Sequence, residues 1–475
     1  MTDWIVAKLN WFEEKEELNN LQYKGFFFWN YMREHVYDQI LLSINSIPTR
    51  SWDNKPTKLN DYLILGKKLF SCLGSGNILH ADKADILIYD HSRKVPDEDG
   101  HLFSIYTKDW LKDYEKKYIV IDAFDKRFVT NTKKKQYYSD CVILFLSKIK
   151  AIFHSKKDVY TCLNGFKDVL LKLEQLFEIS LNKEYLINTC KRLYLSYKGK
   201  RKLFLSVIKR VSPKCVVEVV HYHPDKMIMT ECCKELSIPV IELQHGTIGK
   251  THFCYNYGSI KDVKQFPNFI FLFANLWGSN ASFPIDRKNL RAVGFPFLDA
   301  KVTNTHKKFD QLSILFVSQL TYGKQLISFA LKLDEQLRNK GFKFNIVYRL
   351  HPGERSLWKS IYPELLSLPE TMVVDDSSNS IYSLFQECNV QIGVDSTAII
   401  EGVAFGLKTY ILPYQGYQNL MMIVDNNCGK LVNSVDEIVK DCNEIDSCAI
   451  NSELFWKSDA TNNLRKEIEK IIANK

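Results

Sequence analysis

Cys215-Val216-Val217-Glu218-Val219-Val220 and Pro239-Val240-Ile241-Glu242-Leu243 are two short apolar runs, and the stretch Lys226 to Leu236 between them has the composition of a helix. Strand, helix, strand in that order is a βαβ unit, which predicts a parallel sheet. Phe269-Ile270-Phe271-Leu272-Phe273 adds a further strand. Upstream, Ala84 to Tyr89, Tyr118 to Ile121 and Cys141 to Leu146 read as three more. Between about 158 and 210 the apolar residues Val169, Leu170, Leu173, Leu176, Phe177, Leu193, Leu195, Phe204 and Ile208 recur at helical spacing, so a helical block interrupts the alternation.

The same grammar restarts after Gly294-Phe295-Pro296 and the polar stretch Thr303 to Lys308. Leu312 to Val317, Phe344 to Tyr348, Met372 to Val374, Val390 to Gly393 and Thr409 to Leu412 are strand-like, with helices over Lys324 to Asn339 and Thr397 to Phe405. The expectation is an α/β chain of two Rossmann-like, doubly wound domains facing a cleft. Residues 1–300 form the first, with the helical insertion at about 158–210, and 301–475 form the second. A chain of 475 residues is long for one core and fits two.

Composition narrows the function. Lys plus Arg number 64 against 55 Asp plus Glu, a mild excess spread along the chain. A nucleic-acid binder concentrates its basic residues more sharply, so nucleic acid is not an expected partner; anionic substrates or an anionic membrane surface are. The twelve cysteines show no C-x-x-C pair and read as reduced core thiols, consistent with a cytoplasmic protein. There is no signal-peptide pattern and no apolar run near the ~18 residues of a membrane span, so any membrane contact is expected to be peripheral.

In open parallel sheets, ligands sit beyond the carboxyl ends of the strands, and the chemistry-bearing residues of this sequence fall there. Arg349-Leu350-His351-Pro352 follows a strand: Arg349 offers a guanidinium fork and His351 a further donor to phosphate oxygens, while Pro352 stiffens the exit. Val394-Asp395-Ser396-Thr397 opens a helix, whose first N–H groups suit an anion, and Glu401 lies one turn on, positioned to accept from ribose hydroxyls. Ordinary N-capping by Asp395 or Ser396 is the alternative. Gln244-His245-Gly246 follows the second βαβ strand; Gly246 suits a tight turn presenting His245, whose neutral imidazole can take a proton. Pro96-Asp97-Glu98-Asp99-Gly100 places Asp99 as a second candidate base, against the alternative of an acidic surface loop. His221-Tyr222-His223-Pro224 is a weak metal candidate, since no further ligand accompanies it. No P-loop, G-x-G-x-x-G, H-E-x-x-H or G-x-S-x-G motif is present.

On Gln244-His245-Gly246, Gly294-Phe295-Pro296, Arg349-Leu350-His351-Pro352 and Ser396-Thr397-x-x-x-Glu401, the chain resembles bacterial GT-B glycosyltransferases of capsule and O-antigen polysaccharide synthesis, over about residues 215–432. In sialyltransferase-like and Kdo-transferase-like members, a His-Pro motif and a Ser/Thr motif hold the phosphate of a CMP-sugar. The resemblance carries those roles onto His351, Pro352, Ser396 and Thr397. Glu98-Asp99-Gly100 loosely matches their acidic base motif, and His245-Gly246 resembles the His-Gly of polyol-phosphate transferases, so His245 and Asp99 both stand as the base. Cationic and amide groups around the phosphate would stabilise the departing nucleotide, so a metal-independent transfer with no cofactor is expected. The donor would be a nucleotide-sugar, with CMP-sugar favoured and UDP-sugar or CDP-polyol as alternatives; the acceptor would be a surface or lipid-linked glycan. A sugar-nucleotide epimerase and a non-catalytic glycan-assembly protein are the rival expectations.

Overall fold

The structure is a computed structural model that describes residues 3–45, 77–91, 94–96, 102–122, 137–139, 141–151, 155–302, 311–319, 321–367, 371–375, 380–414, 416–442 and 452–474. The chain forms two compact units. One comprises 1–272, 277–293 and 461–475; the other comprises 273–276 and 294–460.

The first unit is built on seven strands: β1 (Ile86–Tyr89), β4 (Tyr118–Asp122), β5 (Tyr137–Ser139), β6 (Cys215–Val219), β7 (Val240–Leu243), β8 (Phe269–Leu272) and β9 (Leu290–Ala292). Their order across the sheet is β5-β4-β1-β6-β7-β8-β9, and each neighbouring pair is parallel. The chain winds outward from β1 in one direction, then restarts beside it with β6 and winds the other way. That is Rossmann-type double winding, with its switch point between β1 and β6. A small antiparallel pair, β2 (Val95–Pro96) and β3 (Leu102–Phe103), lies outside the sheet. Because a parallel sheet is covered on both faces, its central strands are apolar throughout; β1, β4, β6 and β7 are buried at every position. Glu218 in β6 and Glu242 in β7 are therefore carboxylates set inside an apolar layer.

The helical block is two long helices, Lys156–Phe177 and Lys183–Val211. The second starts at Asn182, whose side chain accepts from the Tyr185 N–H, and stops at Ser212 with φ 52°. Together with Asp3–Lys15 and Phe28–Asn45 they share one core with one face of the sheet, filled by Trp29, Phe166, Tyr194 and Phe204. Cys141–Leu146, expected as a strand, is instead the start of a helix, Cys141–Ala151, packed against Lys183–Val211. Six apolar residues in a row carry no period that separates a buried strand from a buried helix. The third strand on that side is β5, just upstream.

The second unit has six strands: β10 (Leu312–Val317), β11 (Phe344–Arg349), β12 (Thr371–Val374), β13 (Val390–Gly393), β14 (Lys408–Ile411) and β15 (Lys430–Leu431). Their order, β12-β11-β10-β13-β14-β15, is again Rossmann-like, with the switch point between β10 and β13. Helices Gly323–Asn339, Ile381–Glu387, Thr397–Ala404 and Val435–Asp441 belong to this unit. Two doubly wound α/β units in tandem are the elements of the GT-B fold expected from the sequence. Within the C-terminal helix Ala460–Ala473, residues from Thr461 onward belong to the first unit. There Arg465 Nε donates to the Trp110 carbonyl (2.8 Å) and Glu467 pairs with Arg291.

Candidate functional site

Beyond the carboxyl ends of β1, β6 and β7, at the switch point of the first sheet, lies a cluster of histidines and tyrosines around one buried carboxylate. Glu242, wholly buried in β7, accepts three hydrogen bonds. Its Oε2 takes the His221 Nδ1–H at 2.7 Å, and its Oε1 takes the His221 backbone N–H at 3.1 Å and the Tyr255 hydroxyl at 2.7 Å. His245 Nδ1 stands 3.8 Å from the same Oε1. Burial alone would raise the Glu242 carboxyl, but His221, His245 and the Tyr255 hydroxyl hold it below the usual range, so it is an anion at neutral pH.

His245 follows β7 by two residues and keeps 15% of its side chain exposed. Its Nε2 lies 2.9 Å from the Tyr222 hydroxyl and its Nδ1 lies 3.5 Å from the Tyr255 hydroxyl. Tyr255 already gives its proton to Glu242, so the consistent assignment puts the His245 proton on Nδ1, facing Tyr255 and Glu242. Nε2 then accepts from Tyr222. Burial, with His252, His91 and His221 nearby, pushes the His245 imidazole down to about 3 against the pull of Glu242. It is a neutral, proton-accepting ring over an anion. His252, down to about 4 chiefly through burial, packs on Tyr222 and Tyr255, and His91 stacks on His245 at 6.3 Å.

The backbone is fixed around these rings from several directions. Gln244 donates from Nε2 to the Gly246 carbonyl at 2.8 Å, and Tyr106 donates to the His245 carbonyl at 3.1 Å. Gly246 does not take the left-handed backbone expected of a glycine-dependent turn; the Gln244 side chain closes the loop, and the space beside Gly246 is open. Val220, between β6 and His221, has φ 65°, a region costly for a β-branched residue; the strain turns the chain sharply and sends His221 back under Glu242. The loop carrying His252 and Tyr255 is clamped by Arg33 on helix Phe28–Asn45. Arg33 donates to the Phe253 and Asn256 carbonyls (2.5 Å each), pairs with the buried Glu13, and stacks on the rings of Phe253 and Tyr257. Glu13 also accepts from Trp29 Nε1 at 2.7 Å.

Beside this cluster lies a second buried set. Asp90, at the end of β1, accepts from Ser104, Thr107 and Lys94, and Lys94 also pairs with Asp122 at the end of β4. His221 and His223 are engaged separately: His221 Nδ1 serves Glu242, while His223 Nδ1 accepts the Asp225 N–H at the start of helix Pro224–Glu235. The basic run from Lys198 to Lys202 lies on helix Lys183–Val211, where Lys200 and Arg201 pair with Asp225 and Glu235. Asp99 lies outside the described residues.

In the second unit, the motif residues sit at the carboxyl ends of β10, β11 and β13. Arg349 is the half-buried last residue of β11, and His351 and Pro352 are exposed two and three positions on. His351 Nδ1 accepts from the Gly353 N–H at 3.1 Å, so its neutral tautomer carries the donor proton on Nε2. Ser396 caps helix Thr397–Ala404 through the Ala398 N–H at 3.3 Å, with Thr397 and Glu401 half-buried on that helix. Two residues that sequence reasoning missed hold these loops. Glu354, wholly buried, accepts from the His351 backbone N–H at 2.7 Å, the Tyr362 hydroxyl at 2.8 Å and Ser318 at 3.1 Å. Gln319 exchanges both amide hydrogen bonds with the Asp395 backbone, joining the loops at either side of the switch point. Gly416, at φ 100°, passes so close to Asp395 that a Cβ would lie 2.7 Å from Oδ2.

Glu242 also escaped sequence reasoning as a functional residue. The available signal was an acid inside an apolar strand followed by Gln-His-Gly. Its partners His221 and Tyr255, and Tyr222 on His245, come from loops that only the tertiary fold brings to it.

No family model and no curated protein matches the chain. Among solved structures, it is similar to the UDP-GlcNAc 2-epimerase of Methanocaldococcus jannaschii (10% identity, 82% of this chain and 99% of that chain, TM-score 0.48). It is also similar to the Neisseria meningitidis UDP-GlcNAc 2-epimerase solved with UDP-GlcNAc (14%, 82% and 99%, TM-score 0.44). A third is MurG of Acinetobacter baumannii (13%, 62% and 80%, TM-score 0.39). At these identities and scores the likeness assigns neither substrate nor reaction to this chain.

Proposed function

We propose that the chain is a glycosyltransferase that moves a sugar from a nucleotide-activated donor, a CMP-sugar in preference to a UDP-sugar or CDP-polyol, to a hydroxyl of a surface polysaccharide or lipid-linked glycan. The observation that carries this reading is the Glu242–His245–Tyr222 arrangement at the switch point of the first sheet. A neutral imidazole whose Nε2 lone pair faces the Tyr222 hydroxyl, backed by a buried carboxylate, can draw a proton from an alcohol through that hydroxyl. In the first unit the acceptor hydroxyl donates toward Tyr222, and its proton passes along Tyr222 to His245 Nε2. The Glu242 anion stabilises the imidazolium as it forms. Asp99 stays as the alternative base.

In the second unit Arg349, the His351 Nε2–H and the first amides of helix Thr397–Ala404 stabilise the departing nucleotide phosphate. Ser396, Thr397 and Glu401 contact the phosphate and ribose, and Pro352 fixes the loop. These groups supply the charge that phosphate departure needs, so the reaction is proposed to run without a metal, in the cytoplasm.

The test is a panel of CMP, CDP, UDP, GDP and dTDP in thermal-shift measurements, followed by transfer assays with the donor whose nucleotide stabilises the protein. His351→Ala is expected to abolish transfer in a folded protein; unchanged transfer would refute the reading. A sugar-nucleotide epimerase is the second reading, because a base flanked by tyrosine hydroxyls suits removing and returning a proton equally well. Turnover of the sugar nucleotide with no acceptor present would select it.

A further inference from the structure

Helix Asp3–Lys15 buries Ile5, Val6, Leu9, Phe12 and Glu13 and turns a different stripe outward. That stripe is Trp4, Lys8, Trp11 and Lys15, spaced four, three and four residues apart and so aligned along one line of the helix. Trp4 is 45% and Trp11 51% exposed. Each indole is accompanied by a lysine from the next turn: Lys8 Nζ lies 5.8 Å from the Trp4 ring, and Lys15 Nζ lies 4.8 Å from the Trp11 ring. Helix Lys156–Phe177 runs alongside, touching Trp4 through Phe177 and meeting Glu16 through Lys172. It too exposes large apolar side chains, Tyr160 and Leu171.

A tryptophan left half in water is costly, and two on one line that stay about half exposed beside Phe177 and their lysines describe a surface meant to be covered. The chemistry of the stripe identifies the cover. Indoles favour the headgroup level of a bilayer, and lysine stems reach past them so that the ammonium groups meet lipid phosphates. The charges on the stripe itself are both positive. Among the described residues no helix is long and apolar enough to cross a membrane, so the helix would lie in the plane of the surface.

We propose that the Trp4–Lys8–Trp11–Lys15 stripe docks the chain onto an anionic lipid bilayer. The same helix carries Glu13, which holds Arg33, which in turn holds the carbonyls of Phe253 and Asn256 beside Tyr255. Docking would therefore set the Glu242–His245 cluster at a fixed height and orientation above the lipid, where a lipid-linked acceptor lies. The docking proposal is independent of the transferase reading, since vesicle binding tests the first, and nucleotide binding and transfer test the second.

The experiment is co-sedimentation of the full chain with vesicles of phosphatidylcholine containing one quarter phosphatidylglycerol, compared with phosphatidylcholine alone. The protein is expected to pellet with the anionic vesicles and to be released by salt. Trp4→Ser with Trp11→Ser should weaken binding by about tenfold or more, and Lys8→Glu with Lys15→Glu should remove the preference for anionic lipid. Trp4, Trp11 and Lys15 are exposed and Lys8 is half-buried, and unchanged circular dichroism and unfolding temperature show that the variants fold. A wild-type chain left in the supernatant, or a tryptophan double variant that binds as well as wild type, overturns the proposal. So does a concentration-dependent dimer in sedimentation equilibrium that the tryptophan variant loses, which would assign the stripe to a second copy.

Discussion

Glu218 and Glu242 face each other in register across β6 and β7, yet their surroundings shift their carboxyls in opposite directions. Glu242 is ringed by donors and is held ionised. Glu218 has Thr230 on one oxygen and none on the other, and burial together with the Glu242 charge raises its carboxyl well above the usual range. The sheet tolerates two acids in its centre because only one of them is an anion.

That asymmetry fixes how stability responds to pH. A carboxyl raised in the folded state binds its proton more tightly than the unfolded chain does, so its favourable contribution is complete below the unfolded value. It is lost as pH rises toward the folded one, at up to about 1.4 kcal/mol per pH unit. Glu218→Gln removes the proton requirement. The variant is expected to match wild type near about pH 4 and to be the more stable protein by about pH 8. Unfolding temperatures across that range measure the difference, and parallel curves would contradict the assignment.

Glu242→Gln keeps the shape but loses the anion beneath His245. Transfer is expected to fall by about 10²–10⁴-fold, the range for removing support from a general base, with the fold kept. Because His245 titrates at about 3, the wild-type rate should show no His245 limb above about pH 5. An acidic limb near pH 6.5 that disappears in His245→Gln would mean that the imidazole is far more solvated than its surroundings imply.

Arg33→Ala strips the partner from Glu13, whose side chain is 0% exposed, and frees two carbonyls of the Tyr255 loop. Removing one member of a buried pair costs about 3–5 kcal/mol. Arg33→Met with Glu13→Leu should recover much of that stability without restoring activity, since neither residue then holds the loop. Denaturant unfolding of the two variants beside wild type, paired with transfer assays, separates fold from positioning.

In the second unit Glu354→Gln should weaken nucleotide binding by about tenfold, the scale of one charge-assisted hydrogen bond, because the His351 N–H loses its anionic acceptor. Gly323→Ala tests the same support from the other side. A Cβ there would meet Tyr362 Oη at 2.1 Å and Glu354 Oε1 at 2.6 Å, and overpacking of this kind costs about 1–3 kcal/mol. The nucleotide-dependent thermal shift should shrink in both.

Much of the architecture was legible because central parallel strands are predominantly apolar: the βαβ unit around β6 and β7 and the five strands from β10 to β14 were each visible in composition. Cys141–Leu146 misled for the same reason, since a buried helix can begin with the same run. β9 and β15 are too short to carry a pattern. At the site, His245, His351 and Ser396 stood out because they follow strands. Their supports did not, because Glu242, Glu354 and Arg33 act through contacts that only register and tertiary packing create. Gly246 was assigned a conformational role that the Gln244 side chain fulfils instead.

The residues from Thr461 onward complete the first unit although they are made after the whole of the second. During synthesis the first unit waits, with the ground beside Trp110 and Arg291 uncovered, until the second has left the ribosome. A chain interrupted anywhere in the second unit therefore leaves both unfinished, because helix Ala460–Ala473 is made after it.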